Sequence, residues 1–223
     1  MNVNDLPVYN TPYGKFVLDP EDGVTKTIKN NGFWDQWIQK YLYELPKDSV
    51  FVDIGSSVGF LTVYAAGKCK HVHSFEPQKI NYDRLVKNVE LNSLTNVTCY
   101  NIALHDKPAK MNVNNIKKQS EVNYENCQAC SLSLFEDTEG DVEAKTLDCL
   151  NLSNVSFVKS DCEGNDINVL KGGIETITKY RPKIIFEHGG EKGDFAAFFQ
   201  ELNYDVLEVA GQNFLATPKR FRL

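Results

Sequence analysis

No stretch of this chain approaches the roughly 18 consecutive apolar residues that a membrane-spanning helix needs. Its first residues, Met1-Asn2-Val3-Asn4-Asp5-Leu6-Pro7, lack both the basic start and the apolar run of a secretory signal, so a cytoplasmic location is expected. Basic residues are also in short supply: 24 Lys and Arg stand against 30 Asp and Glu, a net charge of −6. Nucleic-acid binders usually carry basic surface that displaces counterions from phosphates. The balance here argues against a nucleic-acid partner and for small molecules, or glycans with few phosphates. Six cysteines occur, but only Cys127 and Cys130 form a CxxC, and no second pair or nearby histidine completes a tetrahedral zinc site. Reduced, unpaired thiols are the expectation. Internal repeats and low-complexity segments are absent as well.

What is present is an ordinary globular composition, 42% hydrophobic and 24% charged, in 223 residues, enough for one α/β domain spanning 1–223. Residues 1–48 read as a helical lead-in. Trp34, Trp37, Ile38, Tyr41, Leu42 and Leu45 follow helical spacing up to Pro46. That helix either packs against a sheet edge or brings Gly32-Phe33-Trp34-Asp35 over a ligand. Val50–Ile54 is a short apolar strand that runs into Gly55-Ser56-Ser57-Val58-Gly59, and Phe60–Gly67 reads as a helix. His71–Phe75 is a second strand, after which Tyr82, Leu85, Val86 and Val89 mark an amphipathic helix. Val97–Leu104 reads as a third strand.

The rhythm resumes at Ser156–Ser160. Ile167, Leu170, Ile174 and Ile177 then define one helix face, Lys183–Glu187 a strand, and Phe195, Phe198, Phe199 and Leu202 another helix. Asp205–Val209 and Asn213–Ala216 close the chain as a hairpin. Strands alternating with helices imply a doubly wound, Rossmann-like sheet of seven strands, mostly parallel, with a C-terminal antiparallel hairpin and helices on both faces. Between the two halves lies 105–150, too long for a bare loop. Alternation in Met111–Val113, Cys130–Leu134 and Val142–Thr146 predicts strands or hairpins there.

Asp53-Ile-Gly55-Ser56-Ser-Val-Gly59 has the form D-x-G-x-x-x-G. Ligands of doubly wound sheets bind beyond the carboxyl ends of the strands, where strand order reverses. Gly55 permits a sharp exit from the strand and Gly59 a close approach of helix and ligand. N–H groups at the helix start can hold a carboxylate, and Asp53 can accept from an ammonium group, so an amino acid headgroup fits. Glu76, at the end of the next strand and followed by Pro77, can accept two hydrogen bonds from a ribose diol. NAD-binding proteins share that acidic position, but their turn is G-x-G-x-x-G, and position 57 here is serine. Lys159, Asp161 and Glu163 cluster at the end of the fourth strand, and Glu187-His188 ends the fifth. Ionisable groups gathered on one ligand-binding edge either contact a ligand or form a structural ion-pair network, with helix-capping roles for Glu163 or Asn165. Cys162, His71 and His73 are expected to be structural.

Four blocks, Val50–Thr62, Ser74–Pro77, Phe157–Gly164 continuing into Val169–Gly172, and Arg181–Glu187, resemble the FkbM-like methyltransferases. Asn88–Asn92 and Thr146–Asp148 add to the likeness, which spans about residues 32–190. This is a class I, S-adenosylmethionine-dependent family acting mostly on hydroxyl groups. The resemblance implies Asp53, Gly55, Ser56 and Gly59 around the methionine moiety, Glu76 with Pro77 at the ribose, and Ala103 with its neighbours along the adenine. It puts Asp161 where methionine part and acceptor meet. Three positions depart mildly from the family pattern. Ser160 stands where a hydrophobic residue is usual, Cys162 where a small aliphatic one is frequent, and a glutamate is usual near Asp35.

The expected reaction is methyl transfer to a hydroxyl, a sugar hydroxyl of a glycan or glycosylated small molecule, with Asp161 or His188 as base and Lys159 or Glu187 orienting it. A divalent cation at Asp161, Glu187 and His188 would be an alternative way to lower the acceptor's pKa. Competing readings are an NAD-dependent oxidoreductase, opposed by the turn, and a non-catalytic nucleoside-binding module, opposed by the intact Asp53, Glu76 and Asp161. RNA methylation is opposed by the charge balance.

Overall fold

Val50–Ile54 is apolar apart from Asp53, the pattern of a strand covered on both faces. In the computed structural model it lies at the centre of a seven-stranded sheet, and residues 3–114, 131–133, 140–188 and 193–219 are described. The chain opens with a hairpin of β1 (Val8–Thr11) and β2 (Gly14–Val17), then α1 (Gly23–Asn31) and α2 (Gln39–Tyr43). β3 (Val50–Ile54), α3 (Phe60–Ala66), β4 (His71–Phe75), α4 (Lys79–Leu91) and β5 (Val97–Tyr100) follow in alternation. Next come β6 (Ala103–Leu104), β7 (Ala109–Asn114), β8 (Ser131–Ser133) and β9 (Val142–Lys145). The second half consists of β10 (Val155–Ser160), α5 (Asp166–Lys171), α6 (Ile174–Tyr180), β11 (Lys183–Glu187), α7 (Gly193–Glu201), β12 (Tyr204–Ala210) and β13 (Asn213–Pro218).

The main sheet has the order β12-β13-β11-β10-β3-β4-β5, with β13 antiparallel to both of its neighbours and the five strands from β11 to β5 parallel. Strand order therefore reverses between β3 and β10, and the expected doubly wound architecture with its terminal hairpin is present. The two faces bury separate apolar clusters. Phe51, Val72, Phe157 and Ile185 pack under α2, α3 and the N-terminal hairpin. Val52, Ile54, Phe75, Val158 and Phe186 pack under α5, α6 and α7. Each fully buried Phe, Leu or Ile contributes roughly 1.5–3 kcal/mol through removal from water. His71 and His73 bridge to β5 through Thr98 and Tyr100, at 2.9 and 3.1 Å, as structural side chains. No helix among the described residues is long and apolar enough to cross a membrane.

Four local departures from the sequence reading have physical causes. The N-terminal segment carries a hairpin and α1 that the spacing did not announce, and the helix expected from Trp34 starts only at Gln36, as a 3₁₀ turn leading into α2. Gly32 ends α1 and Asp35 adopts a left-handed φ of 50°, so Trp34 lies between helices. The strand expected over Val97–Leu104 breaks after Tyr100, where the Asn101 side chain donates to the carbonyls of Glu76 and Pro77, at 2.9 and 3.0 Å. β6 then leaves the main sheet for a second one, order β6-β9-β7-β8, which realises the strands expected within 105–150. Cys127 and Cys130 lie outside the described residues.

The helix face drawn from Ile167 to Ile177 belongs to two helices, broken at Gly172-Gly173. A Cβ at Gly172 would collide with the backbone carbonyl of His105, and one at Gly173 would crowd the Leu147 side chain. Asp148 restarts the helix from outside, its carboxylate accepting from the N–H groups of Glu175 and Thr176 at 3.0 and 2.8 Å. This close packing predicts that Gly172→Ala destabilises the protein by about 1–3 kcal/mol. Gly67→Ala, at a helix end with φ −74° where a Cβ would meet only the Tyr64 carbonyl at an ordinary 3.6 Å, should stay within about 1 kcal/mol of the parent. Urea unfolding of the two variants checks the contrast.

Candidate active site

The sequence places Asp53 one residue before the end of a central strand, and the structure leaves it fully buried. One carboxylate oxygen, Oδ2, accepts from the Thr62 hydroxyl at 2.6 Å, and Thr62 is in turn 2.8 Å from Ser74. The other, Oδ1, has no hydrogen-bond partner. Burial raises the Asp53 pKa, with Lys159 and Thr62 pulling it back. A buried carboxylate oxygen at the wall of a cleft, facing the Lys159 ammonium at 3.8 Å but without a hydrogen bond, is what an ammonium-bearing ligand would satisfy.

The turn after Asp53 is fastened to its neighbours. Gly55 and Ser56 both donate their N–H groups to Phe75 O at 3.0 Å, and the Ser56 hydroxyl does so at 3.2 Å. Gly55 has φ 71°, and a Cβ there would collide with the carbonyl of Asp161. The turn and the end of β10 are thus in backbone contact. Ser57 takes a left-handed φ of 51°, a conformation that costs a non-glycine residue about 1–2 kcal/mol. Its N–H is thereby turned onto Glu76 Oε2 at 2.8 Å. These N–H groups are engaged within the protein, and the N–H groups expected to hold a carboxylate are the separate set at the start of α3. Gly59 packs behind the turn, against Leu85.

Glu76 is nearly buried, and its other oxygen accepts from Gln78 N–H at 2.8 Å. Each oxygen thus keeps further lone-pair capacity on a carboxylate fixed in place by two backbone groups. Burial pushes its pKa up to about 7, against the pull of the Gln78 and Ser57 N–H groups. Glu76, Pro77 and Ala103 line the same cleft as Asp53, Gly55, Ser56, Lys159 and Asp161. Val24 and Trp34 close it from the N-terminal side, so the alternative that the Gly32–Asp35 segment covers a ligand matches the geometry.

Lys159 is buried at the junction. Its ammonium donates to Gly55 O at 3.0 Å and lies 3.4 Å from Asp161 and 3.8 Å from Asp53. Burial lowers its pKa, but Asp161 and Asp53 outweigh this and keep it charged. Asp35, in its left-handed turn, is a further neighbour, which the sequence pointed to only as part of the covering segment Gly32–Asp35 and as a departure from the family pattern. Burial raises its pKa, while the charge of Lys159 lowers it and that of Asp161 raises it. Glu187 stands behind Asp161, its pKa pushed to about 7 by burial and then by Asp161 and Glu163. Ligand atoms of Asp161, Glu163 and Glu187 lie within 4.8 Å of one another.

His188 is not brought to this group. Its ring packs on Phe195, centroids 4.2 Å apart, and neither it nor Glu187 lines the cleft. Neither Glu163 nor Asn165 caps α5 with its side chain. Asp166 reaches back instead to Ser160 Oγ at 2.5 Å and Cys162 N–H at 3.3 Å. Ser160 thus replaces an apolar neighbour with a hydrogen-bond donor to a buried carboxyl.

Glu76 generates a pH prediction. The charged carboxylate is the form that accepts from a diol, and the free protein holds it near a pKa of about 7. S-adenosylhomocysteine affinity, measured by calorimetry, should therefore plateau above that pH. It should fall as pH drops below, by up to roughly tenfold per unit. Glu76→Gln should bind weakly and lose that dependence, whereas tighter binding at low pH would show that the protonated carboxyl is the binding form.

Comparison with known proteins agrees with this geometry. Residues 53–211 match the family described as "Methyltransferase FkbM domain". "Methyltransferase 1" of Beauveria bassiana is 25% identical over 214 residues, covering 86% of this chain and 82% of that protein. Among solved structures, the FkbM methyltransferase of Methylobacillus flagellatus superposes with a TM-score of 0.54 at 17% identity over 78% of this chain. This chain spans only 44% of that one. A Streptococcus mutans protein solved in complex with SAH superposes with a TM-score of 0.50 at 15% identity, covering 80% and 92% of the two chains. The match over 53–211 holds most of the cleft, from Asp53 and Glu76 to Asp161, and the chain therefore belongs to the FkbM family of S-adenosylmethionine-dependent methyltransferases.

Proposed function

We propose that this protein methylates a hydroxyl group of a sugar, on a glycan or a glycosylated small molecule, with Asp161 as the base. One observation carries the reading. Asp161 lines the cofactor cleft, its backbone abuts the Gly55 turn, and its carboxylate is ion-paired to Lys159. It is the ionisable group at the junction of the cofactor turn and the open, acidic side of the cleft.

S-adenosylmethionine, when bound, supplies an electrophilic methyl group on a sulfonium for in-line displacement. The residues around it supply position and charge. Asp53, through the oxygen that has no hydrogen bond, and Glu76, through its fixed carboxylate, fit the amino and ribose ends of that molecule. Ile102, Ala103 and Leu104 offer an apolar wall for the base. Trp34 and Val24 line the N-terminal side of the cleft, where apolar cover over a bound cofactor would strengthen charge interactions inside. An alcohol is a weak nucleophile until its proton is taken, and a carboxylate in hydrogen-bond reach of the acceptor oxygen does that work. Lys159 positions Asp161, and Glu187 stands behind it.

The carbohydrate preference is supported by the family and by the charge of the cleft. Asp161 and Glu163 line it, Asp35 and Glu187 act on them electrostatically from outside the lining, and Lys159 is the cation among them. Neutral polyhydroxyl compounds offer such a cleft hydrogen-bond donors, and Trp34 offers a flat apolar wall to a sugar ring. Nucleic-acid phosphates would meet repulsion. A divalent cation is the second reading, and the carboxylates that favour it are Asp161, Glu163 and Glu187, with Glu163 in the place assigned to His188.

A labelled-methyl assay against a panel of neutral sugars, glycans and RNA, with and without chelator, tests all of this. Label is expected in a sugar and absent from RNA, and transfer that survives chelation removes the cation. Asp161→Asn should lower kcat by about 10²–10⁴-fold with S-adenosylhomocysteine binding retained. His188→Ala should stay within about tenfold of the parent. Wild-type turnover in Asp161→Asn would refute the base.

A further inference from the structure

Helix α4 buries polar side chains where an amphipathic helix would bury apolar ones. Arg84 and Asn88 are 4% and 0% exposed, on the same stripe as Leu85. A buried amide destabilises unless its donors and acceptor are matched, and Asn88 is matched in an informative way. Its Oδ1 accepts from the N–H of Val17, the last residue of β2, at 2.6 Å. Its Nδ2 donates to the carbonyl of Val58, in the cofactor turn, at 2.8 Å. One rigid amide is therefore shared between the N-terminal hairpin and the wall of the cofactor site.

Asn92, one helical turn further on, provides the contrast. Its side chain accepts from Lys15 N–H at 2.9 Å and donates to Lys15 O at 2.7 Å, so it pairs with the hairpin as a strand would. Its remaining bond runs to Asn88 O within α4. Arg84 lies 3.7 Å from Asp19, in the segment that continues from the hairpin into α1. That segment delivers Val24 and then Trp34 to the cleft. The hairpin is the root of the roof over the cofactor site, and of its anchors Asn88 also touches the turn beneath.

We propose that Asn88 is a positioning residue that couples the N-terminal roof to the cofactor turn, so that seating the roof sets the turn for cofactor binding and bound cofactor in turn holds the roof down. Coupling of this kind is reciprocal by linkage. It rests on the cofactor site alone, so methyl transfer to a sugar can fail without touching it.

The test uses the full chain and S-adenosylhomocysteine, read by calorimetry and by hydrogen exchange of the peptide around Val17, at a temperature where circular dichroism shows every variant folded. Ligand should slow exchange at Val17 in the parent. Asn88→Leu should weaken binding about tenfold and abolish that ligand-dependent protection, as expected for leaving the Val58 carbonyl unmatched. Asn92→Leu should lower the melting temperature yet keep the affinity within about twofold and the protection intact. Equal losses of affinity in the two variants, or parental binding by Asn88→Leu, would overturn the coupling. If Asn88→Leu does not fold, Asn88→Asp keeps an acceptor for Val17 N–H and removes the donor to Val58. Weakened ligand binding with the hairpin still protected supports the proposal, and unchanged binding overturns it.

Discussion

Lys159 places one ammonium group between two carboxylates and a carbonyl with almost no solvent access. Withdrawing an ion from water costs several kcal/mol even after relaxation, and breaking a buried pair by removing one partner typically costs about 3–5 kcal/mol. The arrangement persists because Lys159 meets Asp53 on β3, Gly55 O in the turn and Asp161 beyond β10 at once. It ties the two strands at which the sheet reverses its order, and that reversal is what opens a cleft above them. The trio carries one net negative charge, which suits a site for a molecule bearing an ammonium and a sulfonium. Removing the lysine would leave the buried Asp53 carboxylate and the partly exposed one of Asp161 without the cation between them.

The parts of the fold that could be read from the sequence are those set by local periodicity. β3, α3, β4 and the Phe195–Phe199 face of α7 follow directly from apolar spacing, and so do the small strands β7 and β9 inside 105–150. Asp53, Glu76 and Asp161 were legible because strand ends in a doubly wound sheet converge on one edge wherever the chain places them. What periodicity could not show were contacts that span long separations in sequence. Asn101 ends β5 because two carbonyls 24 and 25 residues earlier need a donor. Asp148 caps a helix that begins 26 residues later, and nothing in Leu147-Asp148-Cys149 announces it. His188 follows Glu187 directly, yet alternation along an extended chain sends neighbours to opposite sides, and its ring ends on Phe195.

Left-handed residues form a second class of hidden signal. Glycine announces such a backbone, as Gly55 does, but Ser57 and Asp35 adopt it without announcing it. In each case the strain has a visible return. Ser57 turns its N–H onto Glu76, and Asp35 breaks the helix so that Trp34 reaches the cleft. Non-glycine residues in this region persist only where surrounding contacts determine them, and they gather at functional sites. The serine that distinguishes this turn from a dinucleotide-binding one therefore has a positive role, since its N–H fixes the Glu76 carboxylate in the cleft.

The family match begins at Asp53, whereas the roof of the cleft is built from residues before it. The floor, from Asp53 through Glu76 to Asp161, follows from strand-end geometry, whereas the roof depends on the N-terminal segment. The roof has no sheet of its own to rest on, since β1 and β2 pair only with each other. It rests on apolar packing of Phe16, Ile28 and Phe33 with Phe60 and Tyr64, and polar groups on α4 orient it, because their hydrogen bonds demand tighter geometry than apolar contact does. Because Asn88 joins the hairpin to the turn, roof and floor are not free of each other, and variation that spares this bond falls on the side chains that face the cleft. Val24 and Trp34 are such positions, where acceptors of different shapes could be accommodated while the anchoring of the hairpin stays fixed.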